Sequence, residues 1–173
     1  MLHIYEGDGK GKTTAAVGLA VRAAGRGRRV LFAQLLKGAP SGEIGVLGQI
    51  PGITVRRLDR DYGFTFQMDD ATRAHVTALH DALIAETAAF AQADGAALIV
   101  LDELLPAWSL GMVGRDAVLR LLDTVPETCE VVLTGRADET CAPLLARADY
   151  HTHLGAVRHP YEKGIPAREG IEY

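Results

Sequence analysis

A chain of 173 residues with 48% hydrophobic and 23% charged side chains is long enough to bury one sizeable core and has the balance of a soluble globular domain. The formal net charge of −4 argues against nucleic acid as a main partner, and no apolar run approaches the roughly 18 residues that would span a membrane. The N-terminus lacks the basic, apolar and small-residue succession of a leader, so a cytoplasmic protein is expected. Two cysteines, Cys129 and Cys141, form neither a C-x-x-C pair nor a disulfide framework and read as reduced structural residues.

The apolar run Leu2-His3-Ile4-Tyr5 reads as a strand, and it runs into Gly7-Asp8-Gly9-Lys10-Gly11-Lys12-Thr13-Thr14. Strand, glycine-rich turn and helix in succession form the setting of a phosphate-binding loop. Glycines let backbone N–H groups converge on an anion, and the helix N-terminus adds unpaired N–H groups and a positive dipole end. Gly7 through Thr14 are therefore the candidate nucleotide-binding residues, with Lys12 as the main cation and the Thr13 hydroxyl as a magnesium ligand. Position 6 departs from the usual pattern, with Glu6 where glycine is asked for. A plain glycine-rich turn would not account for Lys10 and Lys12 flanking Gly11, where two cations repel without an anion.

The spacing predicts a first helix over 13–24, crowded with Ala and Gly so that it can lie close to a sheet. A buried strand over 29–36 follows, then turn residues over 37–43 that form a loop over the site, then a strand over 53–58. Between 59 and 70, Tyr62, Phe64, Phe66 and Met68 alternate with small or polar residues, so an extended segment would place all four on one side. Asp69-Asp70 caps a long helix over 71–93, buried through Val76, Leu79, Leu83 and Phe90, with His75 and His80 on or beside its solvated face. A hydrophobic strand over 97–101 closes on Asp102-Glu103. A helix over 115–123, a strand over 130–136, a helix over 139–148 and a last strand over 150–154 complete the alternation. His151 and His153 share one face of that strand, without an evident third metal ligand. Residues 159–173 carry turn chemistry throughout and read as a C-terminal tail packed on the surface.

Strands alternating with helices imply a single α/β domain over 1–173, three-layered and phosphate-loop NTPase-like: a mainly parallel sheet with helices on both faces. Ligands in such folds gather beyond the carboxyl ends of the strands. The phosphate loop, the loop after Leu36, Asp102-Glu103 and Gly135-Arg136 should therefore meet there. An acidic residue ending a strand is the usual second half of a phosphate-loop metal site, and its alternative role is the N-cap of the next helix. Arg136 at a strand's carboxyl end is placed either to clamp a phosphate or to form a surface ion pair. These groups bind a nucleoside triphosphate with a divalent cation. They leave open whether the γ-phosphorus or the ribose 5′-carbon is attacked.

Further segments carry a resemblance. Gly7 through Ala16, Gln34-Leu35-Leu36-Lys37-Gly38, Gly63-Phe64-Thr65-Phe66, Leu101-Asp102-Glu103-Leu104, Leu133-Thr134-Gly135-Arg136, and the tail His159-Pro160-Tyr161-Glu162-Lys163-Gly164-Ile165 with Gly170-Ile171-Glu172-Tyr173 occur in order along almost the whole chain. Together they resemble the ATP:corrinoid adenosyltransferases. The resemblance implies attack of a Co(I) corrinoid on the 5′-carbon of ATP, giving an adenosyl–cobalt bond and inorganic triphosphate. It also implies Mg²⁺ or Mn²⁺ held by Thr13 and Glu103, and Arg136 on the phosphates. Phe64 and Phe66 would line the corrinoid and exclude its lower axial ligand, so that Co(II) becomes easier to reduce. A reduced flavoprotein donor and a homodimer are implied as well. Phe66 stands where the family generally has Trp, and only a few residues precede the phosphate loop, whereas some relatives carry an N-terminal extension over the corrinoid. The rivals are a small NTP-dependent kinase and a non-catalytic nucleotide- or corrinoid-binding module.

Overall fold

A computed structural model describes residues 1–172; Tyr173, the end of the tail motif, lies outside the described residues. Six parallel strands form one sheet: β1 (Leu2–Glu6), β2 (Arg29–Gln34), β3 (Ile53–Arg57), β4 (Ala96–Asp102), β5 (Glu130–Gly135) and β6 (Tyr150–His153). Their order is β3-β2-β4-β5-β1-β6, and every pairing is parallel. The alternating pattern thus yields the α/β architecture expected, with the sheet parallel throughout.

Strand parity decides what each face carries. Val30, Phe32, Leu98, Val100 and Val132 point to one side, where they pack with Ala16, Ala20 and Ala24 of α1 (Lys12–Ala24). Alanines at four-residue spacing put only methyl groups on the buried stripe, so the helix axis can approach the strands closely. Leu31, Ala33, Ile99, Leu101, Val131 and Leu133 point to the other side. There they meet α3 (Asp70–Ala91), α4 (Leu104–Ser109) and α5 (Arg115–Thr124). Helices α2 (Gly42–Leu47) and α6 (Ala142–Leu145) are short.

Helix α3 begins where a cap was expected: the Asp69 carboxylate accepts from the Thr72 N–H at 2.7 Å, which satisfies one of the helix's unpaired donors. Its buried stripe is Val76, His80, Leu83, Ile84, Thr87 and Ala91. The expectation that His80 lies on or beside the solvated face is therefore corrected, because position 80 is four residues on from Val76 and four before Ile84. Two other expectations change. Residues 139–148 form a 3₁₀ turn (Glu139–Cys141) followed by the four-residue α6, not one helix. In the loop before α3, a 3₁₀ turn (Thr65–Gln67) breaks the two-residue alternation. Tyr62 and Met68 pack against the Leu58, Val76 and Met112 cluster, while Phe64 and Phe66 stay outside it.

The turn that follows β6 lies directly on the phosphate loop. The Gly9 N–H donates to the Leu154 carbonyl at 2.7 Å, and the Asp8 carboxylate accepts from the Ala156 N–H at 2.9 Å. A Cβ on Gly9 would fall 2.7 Å from the Leu154 oxygen and 2.8 Å from the Gly155 carbonyl. Both obstacles are backbone and neither can rotate away. Gly9→Ala is accordingly expected to lower unfolding stability by about 1–3 kcal/mol, the scale of overpacking. Urea denaturation checks this; an unchanged midpoint would show that the loop and the turn are not held together.

Candidate functional site: a phosphate loop facing an aromatic cleft

The same parity that sorts the core brings polar groups together at the carboxyl ends of the strands. Gln34, Asp102 and Thr134 continue the α1-facing rows of β2, β4 and β5, and all three are fully buried. Asp102 is the hub. Its Oδ1 accepts from the Thr13 hydroxyl at 2.8 Å and the Thr134 hydroxyl at 2.6 Å. Its Oδ2 accepts from Gln34 Nε2 at 3.0 Å and faces Lys37 Nζ at 3.5 Å. Four donors on one buried carboxylate compensate its desolvation. The Thr13 hydrogen is thereby committed to Asp102, which leaves the hydroxyl's lone pairs free to face the loop.

Glu103 follows with φ of 61°, a left-handed conformation that costs free energy for a residue with a Cβ. It occupies the N-cap position of α4, yet its side chain caps nothing. Its Oε1 instead lies 2.9 Å from Lys37 Nζ. Burial works against the Lys37 ammonium, but Asp102 and Glu103 outweigh it and hold its pKa above the ordinary lysine value. The N-cap alternative considered for Asp102 is excluded, since Asp102 is the last residue of β4.

Lys12 opens α1, and its ammonium donates to the Gly9 carbonyl at 2.7 Å. Burial lowers its pKa; Glu103 and Asp8 oppose the shift, while the Arg136 and Lys37 charges add to it. The charges of Lys37 and Arg136 are thus both felt at Lys12. Gly7 and Gly11 adopt φ of 124° and 118°, a region open to glycine at little cost. Lys10 points elsewhere, toward the tail: its ammonium donates to the Ile171 carbonyl at 2.8 Å and to Glu172 at 3.0 Å. Arg168 also binds Glu172, and these hydrogen bonds pull the Glu172 carboxyl down to about 2. Through Lys10 the tail residues Ile171 and Glu172 meet the glycine-rich loop.

Glu6, the departure from the motif, faces the edge strand. Its Oε1 is 3.2 Å from His151 Nε2 and 2.7 Å from His153 Nδ1. Burial alone would raise its pKa, but the two imidazoles outweigh that and hold it below the usual carboxylate range. The His-x-His pair thus serves a carboxylate, and among the described residues no group of three acidic, histidine or cysteine side chains is arranged to hold a metal.

A cleft of about 720 Å³ starts at Thr13 and Thr14, passes Lys37 and Pro40, and reaches Phe64 and Ile171. Phe64 and Phe66 are 69% and 80% exposed, and their rings stack on one another with centroids 5.4 Å apart. Two phenyl rings left in water on a phosphate-loop protein are an unsatisfied apolar surface beside a polar site.

Sequence reasoning missed the parts that hold this geometry in place. Leu36 is the other non-glycine residue, among those described, with positive φ, at 60°. Its N–H donates to His80 Nε2 at 3.0 Å, and His80 Nδ1 donates to the Met112 carbonyl at 2.7 Å. The Arg57 guanidinium secures the next residues through the Lys37 carbonyl at 3.3 Å and the Ala39 carbonyl at 2.6 Å. His80 is neutral in this arrangement, and burial lowers its pKa below the ordinary 6.5. The unfolded chain takes up a proton near 6.5, whereas the folded chain resists until lower pH. The stabilisation is therefore complete above that value and is lost progressively as pH falls below it. Wild-type stability should decline between about pH 7 and 5, and His80→Gln should flatten the decline; parallel slopes in urea titrations across that range would exclude His80 as the source.

The whole chain, residues 1–173, matches the family model described as ATP:corrinoid adenosyltransferase BtuR/CobO/CobP. The corrinoid adenosyltransferase of Pseudomonas aeruginosa is 32% identical over 174 residues, covering 100% of this chain and 83% of the relative. The corrinoid adenosyltransferase CobA of Salmonella typhimurium is 32% identical over 179 residues, covering 98% of this chain and 84% of the relative. Among solved structures there is a distant likeness to the ORC2 protein of Aeropyrum pernix, with a TM-score of 0.44 and 20% identity over 90% of this chain and 42% of that one. With the family model matched from end to end and relatives above 30% identity along nearly its full length, the chain belongs to the ATP:corrinoid adenosyltransferase family.

Proposed function

We propose that the protein transfers the 5′-deoxyadenosyl group of ATP to a Co(I) corrinoid and releases inorganic triphosphate. The observation that carries this is the cleft: phosphate-loop residues Thr13 and Thr14 form one end and the exposed Phe64 the other. A nucleotide whose phosphates rest on the loop presents its ribose toward a surface suited to a flat apolar partner. Covering a largely exposed phenyl ring contributes about 1.5–3 kcal/mol, a gain available to a corrinoid and not to a small hydroxyl acceptor.

In this reading the loop from Gly7 to Thr14 cradles the triphosphate through backbone N–H groups other than that of Gly9, which is already given to Leu154. Lys12 and Arg136 stabilise the charge that grows on the departing oxygen. Lys12 is suited to that task because it is partly desolvated and, among the described residues, its ammonium hydrogen-bonds the Gly9 carbonyl alone. Phe64 and Phe66 occupy the lower face of the corrinoid and keep an axial ligand from cobalt.

The residues present also fit a magnesium or manganese ion. The Thr13 hydroxyl is oriented by Asp102 with its lone pairs outward, and Glu103, the residue after Asp102, offers a carboxylate oxygen once Lys37 releases it. The buried Gln34 carbonyl oxygen carries no donor and can accept from a cation's hydration water. Bound there, the ion would neutralise phosphate charge and hold the triphosphate in one geometry. A reduced flavoprotein as electron donor, action as a homodimer and a cytoplasmic location complete the proposal; among the described residues no helix is long and apolar enough to cross a membrane.

The test is an anaerobic assay with MgATP and chemically reduced cobalamin. A light-sensitive adenosylated product is expected. ADP release to a hydroxyl acceptor would point to a kinase, and tight binding without product to a carrier module.

A further inference from the structure

The two left-handed non-glycine residues among those described, Leu36 and Glu103, stand on either side of a single ion pair. Leu36 aims the residue after it, Lys37, across the carboxyl ends of β2 and β4. Glu103 turns its carboxylate back to meet that ammonium at 2.9 Å, and Asp102 Oδ2 lies 3.5 Å from the same nitrogen. Backbone strain of this kind persists only where surrounding contacts enforce it. Here they are plain: His80 fixes the Leu36 N–H, Arg57 fixes the Lys37 and Ala39 carbonyls, and Thr134 Oγ1 accepts from the Glu103 N–H at 3.0 Å. Three side chains therefore hold a lysine on the carboxylate proposed above to bind the divalent cation.

We propose that Lys37 keeps the cation's place: its ammonium neutralises Glu103 and Asp102 in the nucleotide-free protein, and a divalent cation loads by displacing it. The displaced ammonium has a destination in the same cleft, because Lys37 and Thr13 line it together. Cation entry and the arrival of a positive charge at the phosphates are then one event, which ties metal loading to nucleotide loading. The idea rests on Glu103 as a metal ligand. It assigns Lys37 a positioning role, distinct from phosphate binding by Lys12.

The test measures Mn²⁺ binding by electron paramagnetic resonance without nucleotide, a readout independent of turnover. Removing a unit charge a few Å from the ion should tighten binding, so Lys37→Met is expected to lower the Mn²⁺ dissociation constant by about tenfold or more. Lys37→Arg, which keeps the charge, should bind Mn²⁺ as weakly as the wild type and shows that the site survives substitution. The double variant Lys37→Met with Glu103→Gln should lose the gain, as coupled residues do. Equal affinity of wild type and Lys37→Met overturns the proposal, as does a gain that persists without Glu103. Mn²⁺ bound in the presence of ATP by wild type but not by Glu103→Gln would show that the metal site stands even if the lysine does not guard it. No protein-bound Mn²⁺ in any variant with ATP present would overturn the metal site itself, and the role of Lys37 with it.

Discussion

Lys12→Ala should lower turnover by at least about 10²-fold, the scale on which an enzyme loses one aimed stabiliser of developing charge. Lys12 sits where helix α1 begins, close enough to Arg136, Asp8 and Glu103 to feel all three charges. Its own hydrogen bond goes to the Gly9 carbonyl, which a bound phosphate can replace. The side chain fills no part of the hydrophobic core, so the variant should unfold with a near-wild-type urea midpoint. Steady-state assay with MgATP and pre-reduced cobalamin measures the loss. Turnover close to wild type would remove the phosphate loop from the mechanism.

The second large effect is selective. Phe64→Ala should reduce turnover that starts from Co(II) by about 10–100-fold more than turnover from Co(I). That range is the loss of one ring's burial, roughly 1.5–3 kcal/mol, read as a rate. In the proposed reaction Phe64 acts before alkyl transfer, by keeping an axial ligand off cobalt so that reduction becomes easier. Once Co(I) is supplied, the ring has little left to do. Phe64 is 69% exposed, so truncation removes no core packing. Equal losses in the two assays would argue against ligand exclusion and would leave Phe64 as a general contact. Phe66, stacked on it, should show the same asymmetry.

Much of this was legible in the chain because it rests on local rules. The alternation of apolar runs with amphipathic ones specifies a parallel sheet between helices, and a glycine-rich turn after the first strand specifies the loop that opens α1. Asp69 announces α3 by its capping chemistry. What stayed hidden depends on contacts between residues far apart in the chain. His80 reads as a surface histidine until its place four residues from both Val76 and Ile84 is weighed, because imidazole is polar and its two partners lie 44 and 32 residues away. Gln34, Asp102 and Thr134 could have been grouped from strand parity alone, since each sits at a carboxyl end in the row that faces α1. Lys37 could not: its direction follows from the positive φ of Leu36, which no residue type at that position signals. The aromatic segment was half legible. Period-two spacing put Tyr62, Phe64, Phe66 and Met68 together, but the turn at Thr65–Gln67 separates a packed pair from an exposed one.

Glu6 shows how a departure from a motif can be absorbed. A carboxylate next to an anion site would repel phosphate if it pointed inward. It points instead to β6, where His151 and His153 meet it.

In the proposed reaction the cradle holds three linked phosphates that depart as one unit. Phosphorus NMR of the anaerobic reaction measures this directly. One intact inorganic triphosphate should accumulate for each adenosyl–cobalt bond formed, and neither should form in the Lys12→Ala variant at comparable rate. Release of ADP, pyrophosphate or single phosphate in step with the corrinoid product would contradict it.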